Sequence, residues 1–173
     1  MDAGEAQLAN GDPAFRMDFV EFYRRQLGGV IGLAFVLSGS RSGAEELAQE
    51  AFLSAFRVWD RVAHYNDPGA WVRRVVANAA VSRFRRMRAE ARAVFRLDHA
   101  MYVIPEGDAD ADRLWAEVRA LSSRQAQVIA LHYLDERTTV EIGEILGISE
   151  PTVKTHLQRG REALAQRLGA EER

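Results

Sequence analysis

The stretch TTVEIGEILGISEPTVKTHLQRGREALAQRL, residues 138–168, carries the signals of two helices joined by a short turn. Thr138 with Glu141 three residues later forms a capping box, which starts a helix. Gly147 stands where that helix ends and a left-handed residue is favoured, and Ser149 is a cap for the next helix. Two helices around a three-residue Gly-Ile-Ser turn are typical of a DNA-binding helix-turn-helix.

The second of these helices is predicted to enter the major groove and to read base edges with its N-terminal half. A lysine or arginine suits guanine or phosphate, and a glutamine suits adenine. Free backbone N–H groups at the start of the first helix are predicted to receive a phosphate. The candidate DNA contacts are Thr138, Thr139, Glu150, Thr152, Lys154, Thr155, Gln158 and Arg159. A small helical bundle with a solvated basic face carries the same capping signals, so that alternative stays open at this point.

Upstream of this pair, apolar residues recur at helical spacing and no strand pattern appears. Pro13 and Pro68 mark helix starts, and Ser42 with Glu45 forms a capping box for a helix predicted to continue to Val62. The sequence predicts an all-α protein of two small domains joined by a flexible acidic linker. The predicted parts are a disordered N-terminus (1–12), a three-helix domain (13–95), the linker (96–111) and a four-helix domain (112–169).

The predicted core of the second domain follows from the same spacing. Apolar residues of the helix that follows Ser122 and of the helix that follows Thr138 are expected to face inward, and they include Leu134 and Val140. Gly160, on the core side of the last helix, is expected to permit tight packing. These positions belong to the fold rather than to a site.

Charge is distributed unevenly along the chain, although the formal net charge is only −2. Residues 73–96 contain eight arginines and one glutamate, whereas residues 98–117 contain six acids and one arginine. A polyanion interacts mainly with the nearest patch of charge on the protein, because salt limits the reach of exposed charges to roughly 10 Å. The slight overall acidity therefore does not exclude DNA binding.

Several classes of protein are excluded or disfavoured by the composition. The chain has no Cys, no signal-peptide pattern and no apolar run long enough to span a bilayer. Its four histidines are scattered, without the spacing of a metal site, and no glycine-rich phosphate loop occurs. We therefore expect a cytoplasmic protein that is not an enzyme, with no metal, no cofactor and no small-molecule substrate.

Three stretches, in the correct order, resemble bacterial sigma factors of the extracytoplasmic-function (ECF) group, in their actinobacterial form. Residues 121–168, LSSRQAQVIALHYLDERTTVEIGEILGISEPTVKTHLQRGREALAQRL, are similar to region 4. Residues 43–60, GAEELAQEAFLSAFRVWD, are similar to region 2.2, and residues 67–88, DPGAWVRRVVANAAVSRFRRMR, to regions 2.3 and 2.4. Two motif sets in register are more specific than a lone helix-turn-helix, which response regulators also carry.

The resemblance implies a transcription initiation factor. Members of this group bind core RNA polymerase through its β′ clamp helices and β flap, and they direct it to promoter DNA. Region 4 reads the −35 element, and region 2 melts and reads the −10 element. Most members are held inactive by an anti-sigma factor, so one is expected here.

Residue roles follow from the matched positions. The polymerase-binding surface is expected at Glu46, Gln49 and Glu50, which lie together at i, i+3 and i+4. The expected contacts with the −10 element are Tyr65, Asn66, Arg73, Arg74, Asn78, Arg83, Arg85 and Arg86. The arginines are expected to cover the outside of their helix. Trp59 and Trp71 are candidates for assisting DNA melting, but their place on apolar stripes favours core packing.

Two other functions remain compatible with the motifs. A stand-alone helix-turn-helix regulator would bind an operator without polymerase, usually as a dimer on a palindrome. An interaction protein that only sequesters polymerase would bind the core enzyme and support no transcript. Reconstitution with core polymerase and DNA separates the three.

Overall fold

The structure is a computed structural model, and it describes residues 13–93 and 109–171. All regular elements within these two ranges are helices. The predicted N-terminus (1–12) and most of the predicted linker lie outside the described residues. The eight helices are α1 (Pro13–Ser38), α2 (Arg41–Arg57), α3 (Trp59–Val62), α4 (Pro68–Ala93), α5 (Ala109–Arg119), α6 (Ser123–Tyr133), α7 (Thr139–Leu146) and α8 (Glu150–Glu171).

The first domain, α1–α4, is a bundle of three long helices around an aliphatic core. The buried face of α2 consists mainly of glycine and alanine, with Leu47 and Phe52 as its large side chains, which lets α1 and α4 approach it closely. Trp59 is buried in a cluster of rings with Phe19 and Phe22, which confirms core packing for this residue. Trp71 is partly buried and packs against the same core.

Two predictions about α2 are wrong. The helix begins at Arg41, and its cap is Ser40, whose Oγ accepts the N–H of Gly43 at 3.1 Å. Gly39 has a φ of +76°, which turns the chain one residue before Ser40 and brings that side chain, not Ser42, to the helix end. The helix also does not continue to Val62. It breaks at Val58, where φ is −126° and ψ is 26°, and the short α3 follows.

In the second domain, α5–α8, the helix caps and the turn form where the local sequence predicts them. Capping boxes start α6 at Ser122 and α7 at Thr138, and Gly147 ends α7 in the left-handed conformation with φ +66°. Gly160 permits the predicted close packing, because a Cβ there would lie 3.1 Å from the Ile129 side chain. Helix α5 begins at Ala109, three residues before the predicted start.

Two side chains predicted for the second-domain core are exposed instead. Val140 lies in the first turn of α7 and is 53% exposed. Leu134 is 39% exposed and follows the end of α6, where its methyl group lies near Gly32 of α1. It therefore contacts the other domain rather than its own core.

The two domains are packed against each other. Helix α4 contacts α7, and α1 contacts α5 and α6, so the buried residues of both domains form one continuous cluster. Within residues 13–93 and 109–171, no helix is both long and apolar enough to cross a membrane. The contact between the domains decides which predicted functional residues are accessible.

Candidate nucleic-acid interface

Helix α8 presents a polar face to solvent. Thr152, Lys154, Thr155, Gln158 and Arg159 are all exposed, as their spacing predicts. Several of these side chains are held by neighbours on the same helix: Thr155 donates to the carbonyl of Pro151 at 2.9 Å, and Gln158 donates to Glu162 at 3.0 Å. The contact of this face with DNA stays a prediction.

Glu150 connects the two helices of the helix-turn-helix. Its Oε1 accepts the hydroxyl of Thr139 at 2.8 Å and lies 2.9 Å from Nζ of Lys154. The hydrogen bond from Lys154 and that from Thr139 hold the pKa of the Glu150 carboxyl below its usual value. Glu150 thus positions Lys154 and fixes α8 against the start of α7.

The start of α7 differs from the prediction of free backbone N–H groups for a phosphate. The N–H of Thr138 donates to Oε2 of Glu141 at 2.8 Å, and the N–H of Glu141 donates to Oγ1 of Thr138 at 3.3 Å. These bonds from Thr138, with one from Arg137, lower the pKa of Glu141 to about 2. The prediction of a free N–H group is wrong for Thr138, because a carboxylate that stays ionised already takes the place of the anion there. For Thr139 it stays a prediction.

Three of the residues predicted to contact the −10 element lie in the loop before α4 or on α4. Tyr65 and Asn66 are exposed in this loop, and Asn78 is exposed on α4 itself. Asp67 closes the loop by accepting the N–H of Ala70 at 2.9 Å, which fixes the start of α4. Three groups able to stack on or hydrogen-bond to a base are therefore accessible from solvent.

Arg73 is not on the outside of α4, which corrects the prediction. Only 5% of this residue is exposed. Its Nε and Nη2 donate to the two carboxylate oxygens of Asp135 at 2.5 and 2.9 Å, and its Nη1 donates to Gln26 at 2.6 Å. The side chain is buried because this face of α4 packs against the second domain.

Two more of the predicted arginines are also engaged. Nε of Arg74 donates to the carbonyl of Ile145 at 2.8 Å, and its Nη2 donates to the carbonyl of Glu144. Arg83 pairs with Glu46 of α2, so a residue predicted for DNA meets one predicted for polymerase. Arg85 and Arg86 lie in α4, and their side chains fall outside the described part of the chain.

A second exposed surface runs along α2. Glu46, Gln49 and Glu50 are exposed there, as predicted from their spacing. Beside Gln49 lies an apolar groove of about 570 Å³ between α1 and α2. Its lining includes Leu53 and Phe56, which are 48% and 45% exposed.

Sequence reasoning missed this groove. Exposed apolar side chains that line a groove indicate a partner surface, and the available signal was two large apolar residues, Leu53 and Phe56, off the buried stripe of α2. Among the residues whose side chains are described, no group of three His, Asp or Glu is arranged to hold a metal ion.

Comparisons with known proteins agree on one family. The family model for sigma-70 region 2 matches residues 22–90, and that for sigma-70 region 4 matches residues 111–164. The ECF RNA polymerase sigma factor SigW of Bacillus subtilis is 29% identical over 94% of this chain and 93% of its own. The ECF RNA polymerase sigma factor SigM of Mycobacterium tuberculosis is 28% identical over 89% of this chain and 79% of its own.

Solved structures share the fold. The sigma factor RpoE from Bartonella quintana, in complex with the anti-sigma factor NepR, superposes with a TM-score of 0.73 at 23% identity. The match covers 88% of this chain and 97% of RpoE. CnrH, in complex with the cytosolic domain of CnrY, superposes with a TM-score of 0.65 at 19% identity, over 90% of each chain.

Proposed function

This chain belongs to the sigma-70 family, within its ECF group, and on that basis we propose how its two domains share the selection of a promoter. It is an initiation factor that binds RNA polymerase and directs it to specific promoters. Sigma factors are not catalytic: they position an enzyme that is already complete. We propose that this factor acts in the cytoplasm and has no enzymatic activity of its own.

We propose that α8 reads the −35 element. The observation that carries this proposal is the exposed row of Lys154, Thr155, Gln158 and Arg159 on a helix whose start is fixed by Glu150. Side chains held by their own helix lose less conformational freedom on binding, and a bidentate contact with a base is worth about 1–3 kcal/mol of discrimination. Thr138, Thr139 and Thr152 line the edge of the same face and are proposed to contact the backbone of the duplex.

We propose that the loop and the exposed face of α4 read the −10 element. Tyr65 offers a ring for stacking, and Asn66 and Asn78 offer amides to a base edge. Arg83, Arg85 and Arg86 are proposed to neutralise phosphates further along the helix. Arg73 and Arg74, the other two predicted arginines, are bonded to the second domain in this structure.

We propose that the acidic face of α2 and the neighbouring groove bind core polymerase together. Glu46, Gln49 and Glu50 would steer a basic helical partner, whereas Leu53 and Phe56 would give it apolar area to bury. A surface with an apolar centre and a polar rim is the usual anatomy of a protein interface. The β′ clamp helices are the proposed partner here, and the β flap is proposed to contact the second domain.

We also propose that an anti-sigma factor controls this chain. The sigma factor RpoE, which shares the fold, was solved in complex with the anti-sigma factor NepR, and CnrH was solved in complex with the cytosolic domain of CnrY. Only the shared fold supports this proposal. A pull-down from the native host would identify the partner.

The deciding experiment is a reconstitution. Purified core polymerase, this chain and genomic DNA are incubated, and run-off transcripts are mapped to their start sites. We expect transcripts only when both proteins are present, with shared sequence elements near −35 and −10. Binding of core enzyme without any transcript would instead make the chain a sequestering protein, and operator binding without polymerase would make it a stand-alone regulator.

A further inference from the structure

We propose that Glu150 keeps Lys154 away from the phosphates of DNA and thereby makes α8 select for base sequence. The two side chains form an ion pair one turn apart on α8. In this inference Glu150 is a positioning residue that acts through Lys154, and the ligand that it disfavours is duplex DNA of arbitrary sequence. The inference rests on the proposed function, because it names how α8 separates a −35 element from other duplex DNA.

The carboxylate of Glu150 is tied to two helices. Its Oε1 lies 2.9 Å from Nζ of Lys154 and accepts the hydroxyl of Thr139, at the start of α7, at 2.8 Å. The exposed fractions of the Glu150 and Lys154 side chains are 38% and 63%, so the amine is the more accessible of the two charges. An ion pair on a surface is weak when both side chains must be ordered to form it. Here the bond to Thr139 already orders the carboxylate, and the amine pairs with a group that is held in place.

The paired amine is still able to read a base. A lysine ammonium has three N–H donors and no acceptor, and Lys154 uses one of the three on Glu150. Two donors remain, which matches the two acceptors, O6 and N7, that guanine presents in the major groove. The edge of guanine carries no net charge, so it is compatible with a carboxylate close by.

A phosphate is not compatible with the same carboxylate. A phosphate that bound Nζ of Lys154 would place its negative charge next to that of Glu150, and like charges at short distance repel each other. A protein gains specificity when it places a repulsive group against the wrong ligand, as well as when it improves its contacts with the right one. Glu150 thus leaves Lys154 suited to an uncharged acceptor and unsuited to an anion.

Glu150 also occupies the end of α8 that would otherwise attract a phosphate. It lies in the first turn of the helix, where unpaired backbone N–H groups and the helix dipole favour an anion. The next residue, Pro151, has no backbone N–H and removes one of these donors. The bonds from Lys154 and Thr139 hold the pKa of Glu150 below its usual value, so the carboxylate stays charged at neutral pH. The chain thus provides its own anion at this helix end.

The start of α7 has the same arrangement. Oε2 of Glu141 accepts the N–H of Thr138 at 2.8 Å, and Oε1 accepts Nη1 of Arg137 at 2.9 Å. Both helices of the helix-turn-helix therefore begin with a carboxylate that is paired with a basic side chain of the same domain. Arg159, on the exposed face of α8, has no such acid among the described residues. The restriction thus applies to Lys154, and Arg159 provides a comparison within the same helix.

The test measures binding of the full chain to duplex DNA of random sequence over a series of salt concentrations. Glu150→Gln removes the charge but keeps an oxygen that accepts the hydroxyl of Thr139, and circular dichroism checks its helicity. We expect the variant to bind about tenfold tighter than wild type at about 50 mM salt and about threefold tighter at about 200 mM, because one more phosphate contact steepens the salt dependence by a slope of about 0.9. Fluorescence anisotropy of a labelled duplex gives both the affinity and the slope.

Glu162→Gln is the matched control. It makes the same change of charge on the same exposed helix, but Glu162 accepts Nε2 of Gln158 at 3.0 Å and pairs with no lysine in the described structure. We expect its salt slope to equal that of wild type. Double variants locate the gain: Lys154→Gln in the Glu150→Gln background is expected to cancel it, whereas Arg159→Gln in that background is expected to leave the ratio between Glu150→Gln and its parent unchanged.

A second measurement shows whether the effect concerns specificity. A −35 duplex is taken from a promoter that the reconstitution maps, and it competes with random-sequence duplex for the full chain. We expect the ratio of the two affinities to fall about tenfold in Glu150→Gln at about 50 mM salt, because random DNA gains a phosphate contact while the contact with the base is kept. If Glu150 only braced α8 against α7, its loss would weaken both complexes alike and leave the ratio unchanged.

Four results would overturn the inference. An unchanged affinity and slope of Glu150→Gln on random DNA would mean that Glu150 withholds nothing, and an equal gain in Glu162→Gln would reduce the effect to net charge. A gain that survives the loss of Lys154 would mean that another group binds the phosphate. A changed preference at one base pair, with no change on random DNA, would mean that Glu150 reads a base itself.

Failure of the proposed function has a different result. The binding to random DNA does not depend on any promoter, so it tests Glu150 whether or not the factor initiates transcription. A factor that shows the expected salt dependence, yet never supports a transcript with core polymerase, would contradict the proposed function and leave the role of Glu150 in DNA binding in place.

Discussion

Arg73 and Asp135 lie 62 positions apart in the chain and form a two-point ion pair in which both side chains are almost fully buried. The pair joins α4, which carries the proposed −10 contacts, to the segment that follows α6 and precedes the helix-turn-helix. It therefore links the two DNA-reading surfaces physically, although neither member of the pair is accessible from solvent in this form.

Removal of one member of this pair is expected to destabilise the protein strongly. Asp135→Ala leaves the charge of Arg73 buried without a partner, and such a change costs about 3–5 kcal/mol in other proteins. The measurement is the free energy of unfolding in urea. The double variant Arg73→Met with Asp135→Leu replaces both charges by apolar groups and is expected to recover much of the loss. A single variant as stable as wild type would contradict this prediction.

Arg159→Ala is expected to weaken recognition of the −35 element. Loss of a bidentate contact with a base costs about 1–3 kcal/mol, which is roughly 5- to 150-fold in affinity, and relaxes specificity at one position. Binding of holoenzyme to duplexes changed at each −35 position measures both effects. Arg161→Ala is the control, because Nε of Arg161 donates to the hydroxyl of Tyr133 at 2.6 Å. If selectivity at every −35 position is retained, Arg159 does not read a base.

Leu53→Gln is expected to weaken the complex with core polymerase while leaving the fold intact. The side chain is 48% exposed beside Gln49, so it contributes little to the core and much to an apolar contact. Titration of labelled factor with core enzyme gives the affinity, and Gln49→Ala with Glu50→Ala is expected to act in the same direction. Arg61→Ala, an exposed change outside the groove, is the control. Unchanged affinity in Leu53→Gln would remove the groove from the interface.

The cap of α7 is expected to make stability depend on pH in the acid range. The folded pKa of Glu141 is about 2, below the ordinary value of 4.5. Because the folded pKa is lowered, the stabilisation is fully present above about pH 5 and is lost as the pH falls from there towards 2.

The free energy of unfolding of wild type and of Glu141→Gln, measured from pH 6 to pH 3, tests this dependence. We expect the difference in free energy of unfolding between the two proteins to shrink as the pH falls. Protonation of Glu141 removes from wild type the negative charge that the substitution has already removed from the variant. Glu144→Gln, on the same helix but outside the cap, controls for the change of charge. A difference that stays constant over the whole range would show that the Glu141 carboxylate does not stabilise the fold.

Gly147→Ala is expected to destabilise the second domain by about 1–2 kcal/mol. An L-residue is strained at a φ of +66°, although nothing lies within 4 Å of the added Cβ. Gly169→Ala is the control, because it also adds a methyl group into open space but lies in a helix with no positive φ. Thermal denaturation followed by circular dichroism compares the two. Equal midpoints would mean that the turn tolerates a side chain.

Local structure was largely predictable because its causes are local. The capping boxes of Ser122 and Thr138 and the turn at Gly147 each depend on groups within four residues of one another. The start of α2 was mispredicted because Ser40 and Ser42 are both plausible caps, and only the turn at Gly39 decides between them.

The candidate site was predicted in part for the same reason. Exposure of Lys154, Gln158 and Arg159 follows from helical periodicity once the apolar face of α8 is known. The groove between α1 and α2 was not predicted, because it depends on how two helices lie together. Exposed Leu53 and Phe56 are ordinary helix residues until the position of α1 beside them is known.

The sequence by itself determined the family, the helical class and the order of the helices, since these depend on short-range spacing and on motifs read along the chain. Only the tertiary structure decided the state of Arg73 and Arg74. A guanidinium on a helix surface is equally suited to a phosphate, a carboxylate or a helix C-terminus, and periodicity cannot tell them apart. The partners are Asp135 and the last turn of α7, more than sixty residues away in the chain. Packing of the two domains brings them within hydrogen-bonding distance of the two arginines.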